Sequence, residues 1–63
     1  MIAVTRLNGS RLVVNAEQIR FLESTPDTII TLVSGDRLMV KETMEEVVRL
    51  VVQYQRQIHV FAG

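Results

Sequence analysis

The sequence predicts an α+β fold, a small antiparallel β-meander of about five strands followed by one C-terminal amphipathic helix. Three observations carry this. Turn-forming clusters recur at short intervals: Asn8-Gly9, Asn15-Ala16-Glu17, Thr25-Pro26-Asp27-Thr28 and Ser34-Gly35-Asp36. The stretches between them are rich in β-branched and apolar residues, which suit a pleated, half-buried surface. At Thr43 the apolar period changes from two to 3.6 residues.

The first strand is "IAVTRL", where Ile2 and Val4 alternate with Ala3 and Thr5. Asn8-Gly9 predicts a tight hairpin of type I′, because both residues tolerate the positive φ that such a turn requires. "RLVVN" forms the returning strand, and Asn15 turns its side chain back onto the backbone at a second corner. "QIRFLES" follows, with Ile19, Phe21 and Glu23 alternating against Arg20, Leu22 and Ser24. At Thr25-Pro26-Asp27-Thr28 the proline presets φ, and Asp27 is read as a turn former whose carboxylate bonds nearby N–H groups. "IITLV" is the most strongly β-forming stretch, and "RLMV" after Ser34-Gly35-Asp36 makes a fifth strand. Connections this short predict that sequential neighbours pair antiparallel, with strands over about 2–41.

The helix is expected over about 43–59. Thr43-Met44-Glu45-Glu46 fits a capping box: the threonine hydroxyl accepts from one backbone N–H, and Glu46 reaches back to the cap residue. Glu42, Glu45 and Glu46 also lie where the helix dipole favours negative charge. Met44, Val47, Val48, Val51, Tyr54, Gln55 and Ile58 fall on one face, with Glu45, Arg49, Gln53 and Arg56 opposite. Leu50 and Val52 widen the apolar stripe on its two sides, and Val60 and Phe61 prolong it. That is more apolar face than a small lone domain needs.

Composition sharpens this point. The chain has 63 residues, 48% of them hydrophobic, and reads as a single domain over 1–63. A core of this size supplies only ~3–5 kcal/mol, so small domains draw on a disulfide, a metal or a partner subunit. With no cysteine and one histidine, His59, neither a disulfide nor a zinc site can be built. A homo-oligomer is the expected solution. Its expected interface is Leu50, Val52, Tyr54, Ile58, Val60 and Phe61.

Seven Lys and Arg balance seven Asp and Glu, so there is no global field to attract nucleic acid or anionic lipid. No apolar run approaches the ~20 residues of a membrane span, and the first residues lack a secretory-signal pattern. The expectation is a cytoplasmic protein with no membrane insertion and no nucleic-acid partner.

No catalytic constellation emerges, and neither an enzyme nor a cofactor is expected. Asp27 and Asp36 occupy different turns, and the acidic residues around Thr43 are accounted for by a helix start. His59 has no second histidine or cysteine to form a relay. The glycines at 9, 35 and 63 are too dispersed to cradle a phosphate.

Two family resemblances arise. "VTR" at 4–6 with Gly9 resembles the opening of the carbon-storage-regulator family, and this supplies an alternative reading: a post-transcriptional regulator binding RNA through exposed β-edges. The likeness stops after that opening, and RNA-binding strands call for a basic edge or stacking aromatics. The second covers most of the chain. "TRLNG" at 5–9, "VNAEQI" at 14–19, "ESTPDTIITLVSG" at 23–35 and "VKETMEEVV" at 40–48 resemble the FlbD/SwrD family of small flagellar proteins. Its most specific element is the Glu-x-Thr-Pro-Asp-Thr-x-Ile block beginning at Glu23. Asp36-Arg37 departs from the basic residues that often follow the glycine in that family.

The second resemblance implies a non-enzymatic flagellar accessory protein supporting motility and swarming. It would act by protein–protein contact near the flagellar motor, its stator or the export apparatus, peripherally at the flagellar base. The residues expected at a partner contact are Arg6, Asn8, Glu23, Thr25, Pro26, Asp27 and Thr28.

Overall fold

The elements run β1 (Ile2–Thr5), β2 (Arg11–Val14), a single 3-10 turn (Ala16–Gln18), β3 (Ile19–Glu23), β4 (Thr28–Leu32), β5 (Arg37–Val40) and α1 (Met44–Ala62). The computed structural model describes residues 1–62, with side-chain surroundings for residues 1–56. Five antiparallel strands followed by one helix make the fold α+β.

The meander is broken in the middle. β1 and β2 form a two-stranded sheet, and β3, β4 and β5 form a separate three-stranded one. β2 and β3, expected to pair, do not. Asn15 is the cause: its Oδ1 accepts from the Glu17 N–H at 3.0 Å, and its carbonyl accepts from the Gln18 N–H at 2.9 Å. These bonds wind the connection into the 3-10 turn and take the chain out of the first sheet.

Both short hairpins differ from the type I′ geometry expected at Asn8-Gly9. Among the described residues, no non-glycine residue has positive φ, whereas Gly9 and Gly35 have φ of 92° and 96°. In the first loop the Arg6 carbonyl accepts from the Gly9 N–H at 2.9 Å, and the Arg6 N–H donates to the Ser10 carbonyl at 2.8 Å. In the second, Leu32 makes the same two bonds, with the Gly35 N–H at 2.9 Å and the Asp36 carbonyl at 2.8 Å. Each is therefore a three-residue loop closing on a left-handed glycine. Asn8 Oδ1 accepts from the Ser10 N–H at 3.0 Å, which occupies its side chain and leaves the left-handed position to Gly9.

Beyond the glycine and its two chain neighbours, no atom of the described residues lies within 4 Å of the Cβ that alanine would add at either position. The cost of Gly9→Ala is thus purely conformational, about 1–2 kcal/mol. Thermal melting should show a clear loss for Gly9→Ala and a smaller one for Gly9→Asn, since asparagine enters this region more readily. Equal losses for the two variants would contradict the conformational origin.

The core draws on both sheets and the helix: Ile2, Val4, Val14, Ile30, Val40 and Val47 are all buried. Strand parity brings Ile2 and Val4 inward from β1, and Ile30 from β4. β4 is the central strand of its sheet and is buried on both faces, including Thr28, Ile29 and Thr31. β3 carries a bulge between Ile19 and Phe21 that upsets its alternation. As a result Ile19 and Leu22 pack against the core, while Phe21, expected to share a face with Ile19, is exposed.

The capping box forms as its spacing implies. The Glu46 N–H donates to Thr43 Oγ1 at 3.1 Å, and the Thr43 N–H to Glu46 Oε1 at 3.2 Å. Val47 is fully buried, with Leu50, Val51 and Tyr54 packed beside the core. Val48 and Val52, on the flank beside this face, are exposed. α1 spans 19 residues and ends a few residues beyond the expected limit.

Candidate partner-contact surface

The two sheets meet at a seam between β1 and β5. Arg6 forms an antiparallel bridge with Val40, and Val40 pairs with Thr28 on its other side. Arg6, Val40 and Thr28 thus make one row across the end of the fold. Glu23 pairs with Ile29, one residue further along β4, so the 24–27 turn lies at this same end. The topology therefore gathers Arg6, Glu23, Thr28 and the connecting turn, with Asn8 two residues beyond Arg6 in the first hairpin loop.

These residues are presented differently. Arg6, Asn8, Glu23, Thr25, Pro26 and Asp27 are exposed, whereas Thr28 is buried at 8% exposure and belongs to the packing. The Thr25-Pro26 peptide bond is cis. Asp27 does not form the backbone bonds expected of a turn former; among the described residues its carboxylate has no hydrogen-bond or ion-pair partner. Asn8 Oδ1, by contrast, is occupied by the Ser10 N–H and hydroxyl. Glu23 meets Arg37 Nη2 at 3.3 Å across the sheet, with both side chains substantially exposed. An exposed pair of this kind adds little stability, so it is open to exchange for a partner's charges.

The outer face of the three-stranded sheet continues the surface. Phe21 and Met39 are about half exposed and flank Ile29 and Thr31 of the central strand. The Thr31 hydroxyl is buried there without a hydrogen-bond partner among the described residues. Along the free edge of β3 runs an open groove of about 440 Å³, lined by Ile19, Phe21, Leu22, Met44, Val48 and Val51 among others. Its lining suits apolar side chains.

Sequence reasoning missed one connection. Glu42 stands in the sequence as part of an acidic helix start, yet its Oε1 accepts from the Thr5 N–H at 2.8 Å, across 37 residues of chain. The Thr5 carbonyl accepts from the Lys41 N–H at 2.8 Å. Arg11 Nη1 donates to Thr5 Oγ1 at 2.8 Å and lies 3.8 Å from Glu42 Oε2. Burial alone would raise the Glu42 carboxyl, but the hydrogen bonds, chiefly from Thr5, and the Arg11 charge outweigh it. They hold the group below its ordinary 4.5. This cluster latches the first hairpin to the start of the helix and so positions Arg6 and Asn8.

Of the expected oligomer interface, Leu50 and Tyr54 are half-buried against the protein's own core and Val52 is exposed. The side chains of Ile58, Val60 and Phe61 lie outside the described residues. Among the described residues, no group of three or more His, Cys, Asp or Glu side chains is placed to hold a metal. No described helix is long and apolar enough to cross a membrane.

These features define a small α+β protein whose exposed features are loop tips, a sheet face and one side of a helix. The sequence model of the FlbD family, described as flagellar and swarming motility proteins, matches residues 1–59. The chain belongs to that family. No curated protein and no solved structure matches it.

Proposed function

We propose that this protein is a non-enzymatic flagellar accessory supporting motility and swarming by protein–protein contact. It works at the cytoplasmic side of the flagellar base, against the motor, its stator or the export apparatus, and as a homo-oligomer. The observation that carries this reading is the family match over nearly the whole chain. The gathering of Arg6, Asn8, Glu23 and the 24–27 turn at one end supplies a surface suited to the task, with a seam that fixes their spacing.

A photo-crosslinking residue at Thr25, in motile cells, should capture a motor, stator or export component. The same residue at Ala3, away from this end, should not. Capture only of RNA or ribosomal proteins would overturn the reading.

Asp27→Asn tests the surface at one atom. Because the carboxylate has no hydrogen-bond or ion-pair partner among the described residues, the thermal midpoint of the purified variant should not move. Swarming should fall, since a lost charge-assisted bond costs roughly 1.5–3 kcal/mol of contact, on the order of tenfold or more in affinity. Full swarming with an unchanged midpoint would remove Asp27 from the contact surface.

A further inference from the structure

Helix α1 carries a second stripe, on the flank beside the one that packs on the core. Val47, Leu50, Val51 and Tyr54 face inward. Glu45, Val48, Val52 and Arg56 recur at helical spacing on the solvent side, and all four are exposed. Val48 and Val52 stand 45% and 37% exposed, an apolar pair one turn apart. The stripe begins with an acid and ends with a base, and exposed Arg49 borders it on the polar side. Among the described residues, neither Glu45 nor Arg56 has an ion-pair partner.

We propose that this stripe pairs α1 with α1 of a second copy, antiparallel, about a two-fold axis that crosses between the stripes midway from Glu45 to Arg56. The inference rests on the homo-oligomer reading above and specifies its interface. The stripe is complementary to itself in one orientation only. A parallel pair would set Glu45 against Glu45 and Arg56 against Arg56. An antiparallel pair sets Glu45 of each copy against Arg56 of the other, twice by symmetry, with the valines between them. Glu45 and Arg56 lie ~17 Å apart along the axis, a separation the two-fold reproduces in the partner. Valines four residues apart form a low ridge that lets two helices approach to ~8–10 Å. A closed two-fold contact is also the commonest way for a small chain to gain a partner subunit.

Charge reversal tests the pairing. Size-exclusion light scattering at micromolar concentration should give the wild type twice its 7.2 kDa chain mass. Glu45→Arg and Arg56→Glu each place like charges together twice and should weaken the dimer by about tenfold or more. Circular dichroism checks that each variant stays folded. Mixing the two variants in equal amounts should restore a dimer. In that mixed pair the arginine introduced at position 45 meets the glutamate introduced at position 56, and the untouched pair stays matched. A wild-type mass of 7.2 kDa would defeat the homo-oligomer reading together with this one. A dimer indifferent to either reversal, or a mixture that stays monomeric, would defeat the antiparallel pairing and leave oligomerisation standing. An oligomer larger than a dimer would do the same.

Discussion

Ile30→Ala will bring this protein close to the edge of folding at room temperature. Ile30 is fully buried in β4 and belongs to the cluster that joins both sheets to the helix. Its cross-strand neighbours are Leu22 of β3 and Leu38 of β5, both packed against the same cluster. Truncating such an isoleucine costs about 2–5 kcal/mol through lost burial and the cavity left behind. A single core in a chain this small supplies only ~3–5 kcal/mol, so the two figures nearly cancel. Urea denaturation should show the variant partly unfolded in buffer, whereas Met39→Ala, at a half-exposed position on the outer face, should shift the midpoint only slightly. Comparable shifts for the two variants would mean that Ile30 is not the centre of the core.

The same residue illustrates what a linear reading can and cannot deliver. That β4 is a strand was legible, because "IITLV" combines strong β-forming residues with turn clusters at either end. That it is buried on both faces was not, since burial of the outer face depends on Phe21, Glu23, Arg37 and Met39 from two other strands. The helix was legible down to its cap, because Thr43 and Glu46 are three residues apart and their bonds are local. The parity of β3 was not. A bulge at Arg20 leaves no mark on the alternation of residue types, yet it sends Phe21 outward. The hairpin loops fall between these cases. Their glycines marked them correctly, but whether a loop holds two or three residues depends on where the Asn8 side chain finds its donors.

For the candidate surface, the sequence named the residues but could not group them. The bridge between Arg6 and Val40 that draws the hairpin to the 24–27 turn connects distant parts of the chain. Local chemistry even misdirected at Asp27, because a carboxylate after proline is a common turn former, and here it makes no such bond among the described residues.

Glu42 is where this distance dependence has its largest consequence outside the core. Glu42→Ala removes the acceptor for the Thr5 N–H and the charge beside Arg11, loosening the hairpin from the helix start. Losing a hydrogen bond to a charged group costs roughly 1.5–3 kcal/mol, which in a domain this small is ~6–24 °C of thermal midpoint. Glu42→Gln keeps an acceptor in place and should cost less. The two variants also separate charge from geometry through pH. The Glu42 carboxyl is held below its ordinary 4.5 in the folded state, so its charged form contributes stability in full above that value. That contribution disappears as the pH falls through the lower, folded-state value. The stability difference between wild type and Glu42→Gln should therefore hold steady from neutral pH down to about 5 and shrink on further acidification. Chemical denaturation at a series of pH values measures it directly. A difference that stays constant through the acid range would show that the carboxylate's charge has no part in the latch, and that Glu42 serves Thr5 only as a neutral acceptor would.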